Sequence, residues 1–136
     1  MTAPSRIPAG RARPRAPEDF FPFLERLLNG TLSFGHVTVD GSVSTAIRPV
    51  SAATVLVRAD RTILADATAG AFAVTLPTAV GHKGTELVVK RMNAGGNNVT
   101  VTAAGAETID GAATAVLAAQ YASVRVQSDG ANWVVV

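Results

Sequence analysis

The chain contains no cysteine. That excludes a disulfide framework, thiol catalysis and cysteine-ligated zinc. Aromatic residues are scarce, with one Trp, one Tyr and five Phe among 136 residues, so an extended stacking surface for bases or sugars has little to be built from. Charged residues make up only 16% of the chain. No apolar run approaches the roughly 20 residues that span a bilayer, and the first residues lack a signal-type apolar core. These features are those of a soluble chain without a membrane partner.

What remains is a hydrophobic set of 48% dominated by Ala and Val, together with 12 glycines. Small β-branched side chains suit sheets that pack closely or repeat about a symmetry axis. The length allows one small domain and an appendage, because a single core commonly takes roughly 100 to 150 residues.

The formal net charge of +2 conceals an asymmetry. Arg6, Arg11, Arg13 and Arg15 lie in the first 17 residues, where no acid offsets them, so the rest of the chain is net negative. Pro4, Pro8, Pro14 and Pro17 interrupt this arm. Residues 1–18 read as an extended basic Pro/Arg segment that cannot bury enough apolar surface to fold alone. With no aromatic residue to stack on bases, an acidic protein surface is favoured over nucleic acid as its partner.

Residues 19–30 read as one short amphipathic helix. Asp19 is the N-cap, Pro22 lies in the first turn and Gly30 follows the last turn. Phe20, Phe23, Leu24, Leu27 and Leu28 share a face that needs an apolar partner, with Phe21 beside them. Residues 31–53 read as a hairpin or edge pair turned at Asp40-Gly41, then a connector.

Residues 54–136 carry the clearer signal. Short alternating strands recur about every 8 to 12 residues, as in sandwiches and barrels. Val55 and Val57 alternate with Leu56. Thr62 to Ala65 follows an Asp60-Arg61 turn, and Phe72, Val74 and Leu76 share one face. Further strands cover Glu86 to Arg91, Val99 to Thr102, Ala113 to Ala118 and Tyr121 to Gln127. Positive φ is expected at Gly96 or Asn98. Asp129-Gly130 closes a hairpin onto Trp133, Val134, Val135 and Val136, a strand apolar on both faces and therefore the candidate oligomer interface. The predicted fold class is all-β, a small sandwich or barrel-like module preceded by the arm and helix.

No chemistry converges in the sequence. His36 and His82 stand far apart, without acidic or Cys neighbours at metal spacing. Gly81-His82-Lys83-Gly84-Thr85 lacks the spacing of a phosphate loop and precedes a strand. Glu86, Glu107, Asp66 and Asp110 read as turn formers or solvated strand positions before they read as a glycosidase pair. Ser123 and Ser128 have no histidine at hand in sequence. The expectation is a chain with no catalytic, metal or cofactor site.

In their order, Thr62-Ile63-Leu64-Ala65-Asp66-Ala67-Thr68-Ala69-Gly70, Val74-Thr75-Leu76-Pro77-Thr78-Ala79, Gly81-His82-Lys83-Gly84, Asn98-Val99-Thr100-Val101, Thr108-Ile109-Asp110-Gly111 and Ser128-Asp129-Gly130-Ala131-Asn132-Trp133 resemble a β module recurrent in structural proteins of tailed bacteriophages. Such modules occur in tail fibres, head fibres and capsid decoration proteins. The likeness covers about three fifths of the chain. It implies a homotrimer on a three-fold axis that acts through its surfaces. It implies a capsid decoration, or cement, protein on the virion surface, whose partners are the major capsid protein, further copies of itself and a head fibre or other virion protein. Arg6, Arg11, Arg13, Arg15, Phe20, Phe21, Phe23, Leu24, Leu27 and Leu28 are then the partner-binding residues. A short tail-fibre, spike or baseplate component that binds tail proteins or host-surface glycans is the alternative. A small hydrolase or nucleic-acid binder working through the basic arm is a third reading.

Overall fold

The computed structural model describes residues 37–136. The arm (1–18), the helix (19–30) and residues 31–36 lie outside the described residues, and with them the arginine and Phe/Leu partner-binding set. The chain divides at Ser42 into two units. Residues 37–42, the described part of the first, contain no strand. Asp40-Gly41 forms a bend there with Gly41 at φ 120°.

The second unit is all-β. Nine strands form it: β1 (Ile47–Val50), β2 (Thr54–Val55), β3 (Thr62–Ala65), β4 (Phe72–Thr75), β5 (Glu86–Arg91), β6 (Val99–Thr102), β7 (Thr114–Leu117), β8 (Ser123–Ser128) and β9 (Trp133–Val135). They make two sheets, ordered β1-β3-β5-β8-β9 and β2-β4-β6-β7. From β1 to β6 the chain alternates between the sheets. It therefore stacks three coils whose strands pair in parallel, β1 on β3 on β5 in one sheet and β2 on β4 on β6 in the other. Three antiparallel strands then finish the module: β7 pairs with β6, β8 with β5 and β9 with β8.

This arrangement corrects two local expectations. No strand flanks the Asp40-Gly41 bend among residues 37–46, whereas β1 extends the module back to Ile47. The Asp60-Arg61 turn carries the chain from one sheet to the other. Positive φ in the Gly-rich loop before β6 falls on Gly95, at 93°, and not on Gly96 or Asn98.

The core follows from alternation. Ile63, Val89 and Val124 sit opposite one another in neighbouring strands and are buried, as are Val74 with Val101 and Val99 with Leu117 in the other sheet. Alternation continues past the shortest strand, β2: Leu56 is buried while Val55 and Val57 are 67% and 56% exposed. Burying side chains of this size contributes about 1.5 to 3 kcal/mol each.

Two polar devices lock the coils. Arg48 clamps Asp60 with Nε on Oδ1 at 2.9 Å and Nη2 on Oδ2 at 2.8 Å, and the Val57 amide donates to the same carboxylate at 2.9 Å. The turn between β2 and β3 is thereby tied to β1. Deeper, Arg91 is fully buried and donates to the Leu117 carbonyl at 3.4 Å, to Oδ1 of Asn98 at 3.4 Å and of Asn93 at 3.3 Å, and to the Gly95 carbonyl. Asn93 in turn accepts from the Ala67 amide at 2.9 Å and donates to the Ala94 and Asn97 carbonyls. One guanidinium thus gathers a loop of the second coil, the Gly-rich loop and β7.

The other two Asp-Gly pairs also turn the chain. Asp110 (φ 49°) and Gly111 (φ 84°) are both left-handed, the pattern of a type I′ turn, and Ile109 and Ala112 exchange hydrogen bonds across them. Between β8 and β9 the Asp129 amide donates to the Asn132 carbonyl at 3.0 Å, with Gly130 at φ 103°.

Candidate functional surfaces

Alternation that fills the core also decides what each sheet presents outward. On the four-stranded sheet the outward positions form two rows across the strands. Val55, Thr75, Thr102 and Thr114 are one row, and Ala73, Thr100 and Val116 the other. Every residue of this face is Thr, Ala or Val. None is buried, and Val55 and Val116 are more than half exposed. A sheet whose strands run parallel commonly has both faces covered, yet three of these four strands are parallel and no described residue covers this face.

The outer face of the five-stranded sheet has the opposite character. Leu64, Lys90 and Ser123 make one row, Thr62, Val88 and Arg125 the next, and Glu86 stands opposite Gln127. Lys90 Nζ lies 5.5 Å from the centre of the Tyr121 ring. Tyr121 is 57% exposed and holds a left-handed backbone at φ 64°. Charge is thus segregated to one side of the module, and sequence periodicity alone could have found this once each strand was assigned to a sheet.

The candidate interface strand divides in two. Trp133 is fully buried in its own core, and its indole N–H donates to the Pro77 carbonyl at 3.1 Å. It therefore serves its own subunit and offers nothing to another. Val134 is half-buried, whereas Val135 and Val136 are 46% and 57% exposed. They follow Trp133 on the last strand of the sheet, whose side away from β8 bridges to Ile109 at Trp133 and reaches the Asp110 carboxylate at Val135.

The acidic and hydroxyl side chains mostly spend their hydrogen bonds on the fold. Glu107 accepts from the Thr78 hydroxyl at 2.5 Å and the Ala79 amide at 2.8 Å, tying the β4–β5 loop to the β6–β7 loop. Asp66 accepts from the Thr68 hydroxyl and amide, which hold its carboxyl below the usual range. Asp129 is held low by the Asn132 and Ala131 amides, with a smaller contribution from Lys83. Asp110 accepts from the Val135 amide at 3.0 Å. The buried Ser128 hydroxyl donates to the Ala79 carbonyl at 2.7 Å and accepts from the Gly130 amide. His82 lies in the β4–β5 loop with Nδ1 3.3 Å from the Val80 carbonyl. His36 lies outside the described residues. Among the described residues no three His, Asp or Glu side chains gather into a metal-binding group.

A shallow hollow of about 450 Å³ lies between Thr78, the Ala104-Gly105-Ala106-Glu107 loop and Ala131-Asn132. Its carboxylate is already committed to Thr78 and Ala79. Comparison with protein-family models, with curated proteins and with solved structures yields no match.

Proposed function

We propose that this chain is a capsid decoration protein, a non-catalytic β module that works by binding other subunits on the outside of a virion shell. The observation that carries this reading is the open face formed by Val55, Ala73, Thr75, Thr100, Thr102, Thr114 and Val116. It is uncharged, and three of its four strands run parallel. Soluble proteins commonly guard exposed sheets with charge, and the fold puts its charges on the other side. A dry subunit contact accounts for that partition. The resemblance of the sequence to bacteriophage β modules supplies the setting, with copies of the chain arranged as a homotrimer. The basic arm and the Phe20 to Leu28 segment supply the tie to the major capsid protein.

The test is the copy number of this chain in purified particles, joined to two variants of the full chain. Hundreds of copies per particle are expected for a shell protein, and a dozen or fewer would move it to the tail. Deleting residues 1–29 is expected to leave a folded oligomer that no longer attaches to particles. Thr102→Lys, which places an ammonium in the middle of the uncharged face, is expected to shift the mass seen by light scattering from a trimer toward the 13.9 kDa monomer. A variant that still assembles as the parent does would remove this face from the reading.

A further inference from the structure

A groove on the charged side of the module has the chemistry of a ligand site that the fold itself does not use. Thr45, Arg61, Thr62, Glu86, Val88 and Arg125 line it, around a volume of about 200 Å³. Its construction follows from register. Thr62, Val88 and Arg125 form a row across β3, β5 and β8, and Glu86 lies two residues before Val88 on the same face of β5. The backbones of β3 and β8 flank β5 at about 9 to 10 Å from each other, a span that accepts one six-membered ring over the apolar Val88 floor.

The polar groups are arranged but unspent. Arg61 Nη1 donates to the Arg58 carbonyl at 3.1 Å and the Asp60 carbonyl at 2.9 Å, which fixes that side chain against the turn while its other N–H groups remain. Arg125 and Glu86 share the groove, yet neither makes an ion pair or side-chain hydrogen bond with any described residue; the pair among those residues is Arg48 with Asp60. Two guanidinium groups and one carboxylate leave one positive charge to neutralise. A planar guanidinium matches a carboxylate with two parallel hydrogen bonds, and a lone carboxylate accepts from hydroxyls.

We infer that this groove binds a small hydroxylated carboxylate of the uronic-acid kind, with its carboxylate on Arg125 and Arg61, a hydroxyl donating to Glu86 and the ring over Val88. The site lies on the opposite sheet from the uncharged face and stands independently of any role in a shell.

The experiment is a titration of the full chain, followed through its backbone amide resonances, with glucuronate, glucose, acetate and inorganic phosphate as separate probes. Glucuronate is expected to move the amides of Thr62, Val88 and Arg125 and to saturate in a range of about 1 to 10 mM, as suits a shallow open site. Glucose is expected to move none of them. Arg125→Ala is expected to weaken glucuronate about 10-fold or more without changing the melting temperature, since its side chain is exposed. Glu86→Gln is expected to weaken glucuronate and leave acetate unaffected. The assignment is overturned if phosphate binds as tightly as glucuronate and Glu86→Gln changes neither, which would describe a basic patch only. It is equally overturned if glucuronate moves no amide of the groove.

Discussion

Arg91 allows the sharpest test of how the module is held together. Its guanidinium is fully buried and no carboxylate is among its partners; four neutral oxygens hold it. Replacing it by Met keeps most of the volume and removes the charge. The Asn93 oxygen then still receives the Ala67 amide. The Asn98 and Gly95 oxygens are part-buried and can turn to water. The Leu117 carbonyl, inside the core, loses this donor. That carbonyl keeps its ladder partner, since Leu117 stands opposite Val99 in the register that pairs Ala103 with Ala113; losing a second hydrogen bond costs about 0.5 to 1.5 kcal/mol, and relief from burying a bare cation offsets part of it. Arg91→Met is therefore expected to lose about 1 kcal/mol or less. Arg91→Ala adds a cavity and is expected to lose about 3 to 5 kcal/mol. Arg91→Lys should be worse than Met at pH 7, because a compact, strongly hydrated ammonium is buried and its three donors cannot serve four spread acceptors. Burial lowers the pKa of such a lysine in the folded state. Its penalty is then full below that folded pKa and fades as pH rises toward the unfolded lysine value. Trp133, the single tryptophan and fully buried, reports unfolding in urea by its fluorescence. A stable Arg91→Lys together with a severely weakened Arg91→Met would refute the reasoning, since it would mean that the positive charge itself is required.

Three other expectations come from backbone and charge. Gly130→Val places a β-branched residue at φ 103°, where strain costs about 1 to 3 kcal/mol; each kcal/mol lowers Tm by about 4 to 8 °C in a unit of this size, and an unchanged Tm would contradict the β8–β9 turn. Tyr121 pays for a left-handed backbone at φ 64°, so Tyr121→Asn, a residue that tolerates that region, should be neutral or up to about 1 kcal/mol more stable despite losing the Lys90 contact. A loss above that size in a thermal melt would mean that the ring packs more than its exposure indicates. The Asp60 carboxyl is held below the usual range by its Arg48 hydrogen bonds, with help from the Val57 amide and the Arg48 charge and against burial. The unfolded chain thus takes up this proton first as pH falls. The contribution is complete above the unfolded aspartate value near about 3.9 and is lost as pH drops through the lower folded value. Asp60→Asn should therefore flatten the acid limb of stability in urea melts between about pH 2 and 6, and an unaltered limb would deny the ion pair its role.

The legibility of this fold in its sequence was uneven for a physical reason. Strand positions and inward parity come from period-two alternation, and they hold for Phe72 to Leu76, Val99 to Thr102 and Tyr121 to Gln127. Alternation is blind to pairing direction, because a strand buries the same side chains whether its neighbour runs parallel or antiparallel. Direction is decided by where each connector goes. The six residues from Leu56 to Arg61 could have closed a hairpin, but Asp60 is claimed by Arg48 of the preceding coil and Leu56 is drawn into the core. The chain crosses sheets instead, and a stack of parallel coils results. Arg91 carries two opposed signals in the sequence. It is in phase with Leu87 and Val89, so parity alone put it inside; its charge argued for the surface, and the carbonyl-rich loop that satisfies it was not readable before the fold.

The same parity argument extends to the two outer faces. A threonine in a strand is ambiguous in sequence, since it suits solvent, a partner sheet or a turn equally well. Thr75, Thr102 and Thr114 come from three separate segments, and only the register of β4, β6 and β7 sets them side by side with Val55. Arg125, Val88 and Thr62 are likewise scattered until β3, β5 and β8 align. Both candidate surfaces are thus products of stacking, in which each coil contributes one or two residues to each face. A single-residue slip of β6 against β4 would send Thr100 and Thr102 inward and Val99 and Val101 out. The buried valines that forbid this slip therefore also specify the uncharged face, so substitutions of Val99 or Val101 should disturb the proposed assembly, read as oligomer mass by light scattering, even though neither side chain lies on that face.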